Sequence, residues 1–371
     1  VRLRQALELY ASGRGGGFSF EAVDAAALKS AGAFDARIYQ IGNNRLHAAG
    51  YRAALETPGI VVLHDAVLHH MMLGLLSEEE YVEEFVYNYG GWYRDVAADL
   101  WRDRGHAMAD DRYFRYPLLR RIVEASGAVI VHNPKAARLA REALRRSARE
   151  TPVVEIPHYV EVPELPAARE IAARRAALGI AADAVVIACF GYMRPPKRLH
   201  SLFEALRRMD APCRVLIVGE FVSGGYEASL GELLRDPRVI RLPYVAEEEF
   251  WRLAAVTDVC VNLRYPSVGE TSGVAMKLMA AGKAVLVTAS EEYAGFPELA
   301  VVRVDSGEAE VEMLAHYLYA LATDAEMRSV IGGNAAAFVR EHHGLERVAA
   351  CYLDVVCGLG VELSAVSRPR L

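Results

Sequence analysis

The chain has 371 residues, enough for at least one large core and better fitted to two domains. It is 53% hydrophobic and 24% charged with a formal net charge of −6, an ordinary soluble α/β composition that argues against a nucleic-acid binder. No apolar run approaches the ~20 residues of a membrane-spanning helix, and no signal peptide is visible.

In chain order, the Gly-rich stretch Ser12–Gly17 comes first and reads as loop, since no strong strand flanks it. Strands are expected at Ala36–Gln40, Ile60–Leu63, Ala128–Val131 and Val153–Ile156. Helices are expected near His47–Leu55, Tyr81–Tyr87, Trp92–Trp101, Leu118–Glu124 and Ala136–Ser147. Pro157, Pro163 and Pro166 mark a linker, so the boundary is placed at about residue 160: an acceptor-side domain over 1–160 and a second domain over 161–371, its last helix free to pack back on the first. After it, short continuous apolar runs at Val185–Phe190, Cys213–Val218, Val239–Leu242, Val259–Leu263, Ala284–Thr288 and Val301–Val304 read as strands buried on both faces. Helical patterns fall at Leu199–Arg208, Glu227–Arg235, Glu247–Ala255 and Val274–Ala281, with Val311–Thr323 and Ala325–Glu341 closing the chain. Repeated βα units predict a parallel, doubly wound sheet with ligands at the strand C-termini. Two Rossmann-like α/β domains facing a cleft are the expected architecture.

Cys189, Cys213 and Cys260 fall in predicted buried strands without CxxC pairing, so they read as reduced core thiols of a cytoplasmic protein. The richest segment is PSVGETSGVAMKLMAAGK, residues 266–283. A strand runs into a loop holding Glu270, Thr271, Ser272 and Gly273, which opens a small-residue helix. A helix start carries free N–H groups and a positive dipole end, which suits an anion. Thr271 and Ser272 add hydroxyls, Gly273 admits close approach, and Glu270 offers an acceptor for sugar hydroxyls. A phosphate donor set beside such a carboxylate suggests a nucleotide-sugar site; an N-capped helix reads equally from spacing alone.

An ordered set of motifs resembles the retaining glycosyltransferases of family 4, the group 1 glycosyltransferases of GT-B fold. They are IYQIGNN (38–44), IVVLHD (60–65), AVIVHNPKAARLA (128–140), VVEIPHYVE (153–161), CFGYMRPPKRLHSLFEAL (189–206), RLPYVAEEEFWRLAAVTDVCVN (241–262) and the 266–283 segment. The resemblance spans about Arg37 to Leu353. The paired glutamates of the family are altered: Gly269 stands at the first position, with Glu270 one residue later, and Lys277 stands at the second. Tyr192 replaces an arginine usual after the strand glycine, with Arg194 the candidate substitute. The chain starts at Val1, and the usual first strand and its Gly-rich loop are not recognisable before residue 36; they are either missing or diverged within residues 1–30.

The resemblance implies a metal-independent hexosyltransferase-type enzyme without cofactor, moving a sugar from a nucleotide-diphosphate sugar to a hydroxyl of a glycan, lipid or small-molecule acceptor. It implies attack on the face the diphosphate leaves, with retention at the anomeric carbon. His64 at the end of a strand would approach the reactive carbon, Lys197 would neutralise diphosphate, and Glu270 would hold sugar hydroxyls. Arg194, Gly219, Glu220, Tyr244, Val245, Arg264, Thr271, Ser272 and Gly273 would surround the donor. Gly42, Asn43 and Asn44 end a strand where amides suit sugar hydroxyls, or equally form a turn. His69 and His70 extend a His/Asp pattern that hints at a metal, but no second cluster completes a site, and none is expected. Alternatives are an epimerase or hydrolase of the same fold, or a non-catalytic nucleotide-sugar-binding subunit. No nucleic-acid partner is expected; peripheral membrane contact is compatible.

Overall fold

A computed structural model describes residues 2–13, 19–23, 34–147 and 149–366. The chain forms two compact units: it passes from the first to the second at Tyr159–Val160 and returns to the first for Ser267–Thr271 and from Leu345 on. The first unit comprises Val1–Tyr159, Ser267–Thr271 and Leu345–Leu371; the second comprises Val160–Pro266 and Ser272–Gly344.

In the first unit, β1 (Ile38–Ile41), β2 (Ile60–Leu63), β3 (Ala128–Val131) and β4 (Val153–Glu155) form a four-stranded parallel sheet in sequential order. Among the described residues this sheet has no reversal of order, so the helices that connect its strands collect on one face. Val61, Leu63, Val129 and Val131 point to that face and join one core with residues of helices Ala48–Glu56, Arg120–Ala125 and Pro134–Leu144. Ile60, Val62, Ala128 and Ile130 point the other way, where Leu7 and Ala11 of helix Arg2–Gly13 and Val348, Ala349, Tyr352 and Leu353 of helix Leu345–Val366 cover them. Chain-terminal helices thus do what a second set of crossovers does in a doubly wound sheet. Helix Arg2–Gly13 includes the start of the Gly-rich stretch; the rest of that stretch lies outside the described residues.

Between β2 and β3 lies a helical insert, His69–Leu75, Glu78–Tyr89 and Arg94–Asp103. Ser77 and Glu80 form a reciprocal capping box at the second of these, and Tyr81, Phe85 and Tyr113 are fully buried in its aromatic core. Helix His69–Leu75 has no counterpart among the expected elements, because HHMMLGL is apolar around much of its circumference and gives little helical period.

In the second unit, β5 (Val185–Phe190), β6 (Cys213–Val218), β7 (Val239–Leu242), β8 (Val259–Asn262), β9 (Ala284–Thr288) and β10 (Val302–Val304) are all parallel in the order β10-β9-β8-β5-β6-β7. The order reverses between β5 and β8, which makes their C-terminal ends the topological switch point, where ligands of such sheets bind. Helices Leu199–Arg208 and Glu310–Thr323 cover one face, and Glu247–Val256, Gly273–Ala280 and Ala325–His342 the other. The single helix expected over Glu227–Arg235 is two pieces, Gly224–Ser229 and a 3-10 turn Leu233–Arg235, interrupted around Gly231.

No described helix is long and apolar enough to cross a membrane.

Candidate functional site

At the switch point of the second unit, β5 ends at Phe190 and turns through Gly191. The 3-10 turn Pro195–Lys197 then carries Lys197 back under the strand end, where its side chain is only 5% exposed and Nζ donates to the Phe190 carbonyl. Lys197 therefore lies in the turn ahead of helix Leu199–Arg208 and beneath the strand end, not on a helix surface. Burial pushes its pKa down, and the positive charges of Arg264 and Arg194 push the same way. Arg198 fixes the turn. It adopts a left-handed backbone (φ 58°), and its guanidinium grips buried Glu310 through Nε at 2.9 and 3.1 Å. That part-buried ion pair was not foreseen; an Arg and a Glu separated by more than a hundred residues leave no local signal.

β8 ends at Asn262, and the chain returns to the same place at helix Gly273–Ala280. Ser272 is its N-cap: Oγ accepts from Ala275 N–H at 3.2 Å, receives Arg264 Nη2 at 3.1 Å and donates to Asn262 Oδ1 at 3.2 Å. The hydroxyl is thus committed to the protein, and the donors a helix start leaves outside its own bonds are the first N–H groups, at Gly273 and Val274. A side chain at Gly273 would meet no atom within 4 Å, so the backbone is open there. Lys197 Nζ lies 3.6 Å, and Val274 Cγ2 3.9 Å, from where a Cβ on Gly191 would stand, which places cation, strand end and helix start together.

Gly219 follows β6 with φ 134°, and a Cβ there would stand 2.3 Å from the Gly191 carbonyl oxygen; only glycine fits. Glu220 Oε1 accepts from Tyr244 N–H at 3.1 Å, joining the loops after β6 and β7. Tyr244 is 68% exposed, while Val245 packs against the core. Lys277, in place of the family's second glutamate, pairs with Glu247 at 2.8 Å, its Nζ 5.2 Å and 5.6 Å from the Phe250 and Trp251 ring centroids.

In the first unit, the strand ends carry a different chemistry. His64 follows β2, its Nε2 2.6 Å from Gln40 Oε1. Its ring lies 5.2 Å from His132, 6.4 Å from His158 and 6.5 Å from His47, centroid to centroid. Burial, then the neighbouring His158 and His47, hold its pKa down at about 4. His64 is therefore a neutral imidazole at pH 7. The other three rings each engage a backbone carbonyl through Nδ1: His47 with Gln40, His132 with Ile156, His158 with Tyr159. Sequence reading picked out only His64 from this group, since His47, His132 and His158 come from separate segments.

Asn43 and Asn44 act as caps. Asn43 Oδ1 accepts from Met71 N–H at 2.9 Å and its amide lies 3.0 Å from His70 Nδ1, tying β1 to the insert. Asn44 Oδ1 accepts from Leu46 N–H at 2.9 Å. Asn43 is thus engaged at both ends of its amide and Asn44 through its oxygen, as Asn beside turns and helix starts usually is. Gly42 leaves room for its neighbours: a Cβ would meet His47 Nε2 at 2.9 Å and Asp65 Oδ2 at 3.1 Å. His69 is fully buried, its ring nitrogens bonded to Tyr116 O at 3.0 Å and the Tyr81 hydroxyl at 2.7 Å.

The loop 267–271 clusters with the first unit. Glu270 Oε2 accepts from Ser267 Oγ and Val268 N–H, both at 3.1 Å, so one carboxylate oxygen braces its own loop. Thr271 Oγ1 donates to His132 O at 3.2 Å and accepts from Asn133 Nδ2 at 3.0 Å. Its hydroxyl secures the loop and is not aimed at a ligand.

Compared with known proteins, residues 184–324 match the family model for group 1 glycosyl transferases. This part of the chain is thus similar to a group 1 glycosyl transferase domain. The match spans β5 to the end of helix Glu310–Thr323, and so includes the whole switch-point constellation. Solved structures resemble a larger share. Anabaena Alr3699/HepE in complex with UDP-glucose is 17% identical with TM-score 0.64, covering 86% of this chain and 78% of that one. Sucrose-phosphate synthase from Thermosynechococcus elongatus is 18% identical with TM-score 0.62 over 89% and 74%. WaaG, a glycosyltransferase involved in lipopolysaccharide biosynthesis, is 16% identical with TM-score 0.57 over 84% and 82%. At such identities the likeness carries the fold, and the fold is GT-B. No curated protein matches the sequence.

Proposed function

We propose that the protein is a retaining, metal-independent glycosyltransferase that moves a hexose from a nucleotide-diphosphate sugar to an acceptor hydroxyl. The observation that carries this is the switch point of the second unit. A buried ammonium, Lys197, lies with Arg264 and the N–H groups of a helix start at the ends of β5 and β8. A lysine whose pKa is pushed down first by burial and then by Arg264 and Arg194 favours an anion beside it, which restores the charge that burial opposes. A diphosphate meets that demand, and the structural neighbour solved with UDP-glucose supports this ligand class.

As the bond from anomeric carbon to phosphate oxygen breaks, negative charge grows on the diphosphate. Lys197, Arg194, Arg264 and the helix N–H groups stabilise it without reorganising. The loops at Gly219–Glu220 and Tyr244–Val245 take the nucleoside. An acceptor hydroxyl arriving on the face the phosphate leaves forms the new carbon–oxygen bond and passes its proton to the departing oxygen, giving retention. Glu270 and neutral His64 accept hydrogen bonds from sugar hydroxyls. No step asks for a divalent metal, since side-chain and backbone donors serve the diphosphate. The free buried thiols Cys189, Cys213 and Cys260 fit a reducing cytoplasm.

The test is a panel of nucleotide sugars, first by thermal shift and then by released nucleoside diphosphate, with and without EDTA. The reading expects one donor family to raise Tm and to turn over in EDTA. Tight nucleotide binding with no turnover of any donor would make the protein a binding subunit, and activity restored by Mg²⁺ after EDTA would overturn metal independence.

A further inference from the structure

Asn133 has a set of bonds that the proposed mechanism does not use. It ends the turn after β3 and is 3% exposed. Its Oδ1 accepts from Ala136 N–H at 2.9 Å and so caps helix Pro134–Leu144. Its Nδ2 donates to Gly269 O and to Thr271 Oγ1, both at 3.0 Å. These are the two residues that flank Glu270. One buried amide therefore holds the residue before and the residue after that carboxylate, while its other end is fixed to a helix start.

The rest of the loop is braced in the same unit. Ala66 and Val67 N–H groups donate to Val268 O at 2.8 and 2.9 Å, and Gly269 N–H donates to Ser267 Oγ at 3.0 Å. Gly269 has φ 73°, and a Cβ there would stand 2.9 Å from Ala66 Cβ, so the loop lies directly on the end of β2.

We propose that Asn133 is a positioning residue that sets the direction of the Glu270 carboxylate and governs turnover through it, without touching substrate. The proposal rests on the glycosyltransferase reading for its kinetic consequence, but the clamp itself is separable from that reading. Asn133→Asp isolates it. Aspartate is as good an N-cap as asparagine, so the helix keeps its start. Both amide donors are lost, and a carboxylate oxygen faces the Gly269 carbonyl.

In the full-length protein, Asn133→Asp is expected to lower kcat about tenfold to a hundredfold, the usual cost of misplacing a group by about an ångström. Nucleoside-diphosphate affinity is expected to stay within about twofold, since every bond of the clamp is made within the first unit. The Asn133→Asp/Glu270→Gln double variant should be no slower than Glu270→Gln alone. Unchanged kcat in Asn133→Asp, or losses that multiply in the double variant, overturn the proposal. Hydrogen exchange of a peptide spanning 266–272 gives the independent readout: Asn133→Asp should speed it at least about tenfold even if no donor turns over. Absent turnover with accelerated exchange sinks the enzyme reading and keeps the clamp; unchanged exchange sinks the clamp. Should Asn133→Asp fail to fold, Thr271→Val breaks one of the two clamp bonds and must accelerate the same peptide, or the proposal falls.

Discussion

The strand ends of the two units share a geometry and differ in charge. At the ends of β5 and β8, a buried lysine, a half-buried arginine and an open helix start present positive potential. After the ends of β1, β2, β3 and β4, four imidazoles and the capping amides of Asn43 and Asn44 present neutral polar groups, with His64 kept uncharged by burial and by its neighbours. The fold places loops at the same end of every parallel strand in both sheets. What differs is which residues those loops carry, so one unit suits an anion and the other suits hydroxyls. A shared architecture thus says where ligands go, and local charge says what chemistry each unit can receive.

The contrast is broken most severely by removing the cation. Lys197→Met keeps the stem and deletes the charge. Turnover at saturating donor should fall a hundredfold or more, the roughly 2.7–4 kcal/mol of one lost transition-state donor. The ligand-free Tm should hold or rise, because an apolar side chain replaces a charge that burial disfavours. Unchanged turnover removes Lys197 from the mechanism; a fall in Tm that tracks the activity loss assigns it to packing.

Glu270→Gln sharpens the division of labour. It should weaken nucleotide-sugar binding by roughly 1.5–3 kcal/mol, the range for a hydrogen bond to a charged group, and leave the bare nucleoside diphosphate nearly unaffected. Calorimetry on both ligands decides: equal losses place Glu270 on the ribose, and no loss leaves it only a brace for its loop.

The smallest expected effect is a pH dependence confined to the imidazole side. His64 has an ordinary value of 6.5 and a folded value of about 4. Above 6.5 it is neutral folded and unfolded. Between 6.5 and 4 the unfolded chain takes up the proton and the folded chain does not, so stability falls as pH drops through that window and levels off below it. Gln40, His47, His132 and His158 surround the ring, and a proton on any of those histidines makes protonating His64 harder. Urea midpoints from pH 7.5 to 4.5 should show a shallower decline in His64→Asn. Parallel profiles would mean the ring is not held neutral by the fold.

The second unit was largely legible because its strands are buried on both faces and read as continuous apolar runs; β5, β6, β7 and β9 fall where the sequence places them. The insert between β2 and β3 was less so, since HHMMLGL lacks a polar face and its aromatic core is assembled from several segments. Helix Ala168–Ala177 went unseen because, with no buried residues, it has no apolar stripe to detect. At the site, Lys197, Arg264 and Ser272 were visible as residue types at strand ends. Their environments were not: a lysine's burial, a serine hydroxyl committed to Asn262, and asparagines acting as caps are decided by partners distant in sequence or by turn geometry. Asn133 left only the Asn-Pro signature of a helix start, which announces the cap and says nothing of the loop it also holds.

The contact between Gly191 and Gly219 bears on how this region is to be mapped. Two main chains meet where any side chain on Gly219 would overlap the carbonyl of Gly191. A residue-by-residue alanine survey would score position 219 among its most damaging sites, yet the score would report crowding and not recognition. Assignments there are better drawn from altered ligands, such as nucleotides trimmed one group at a time, with the protein left as it is.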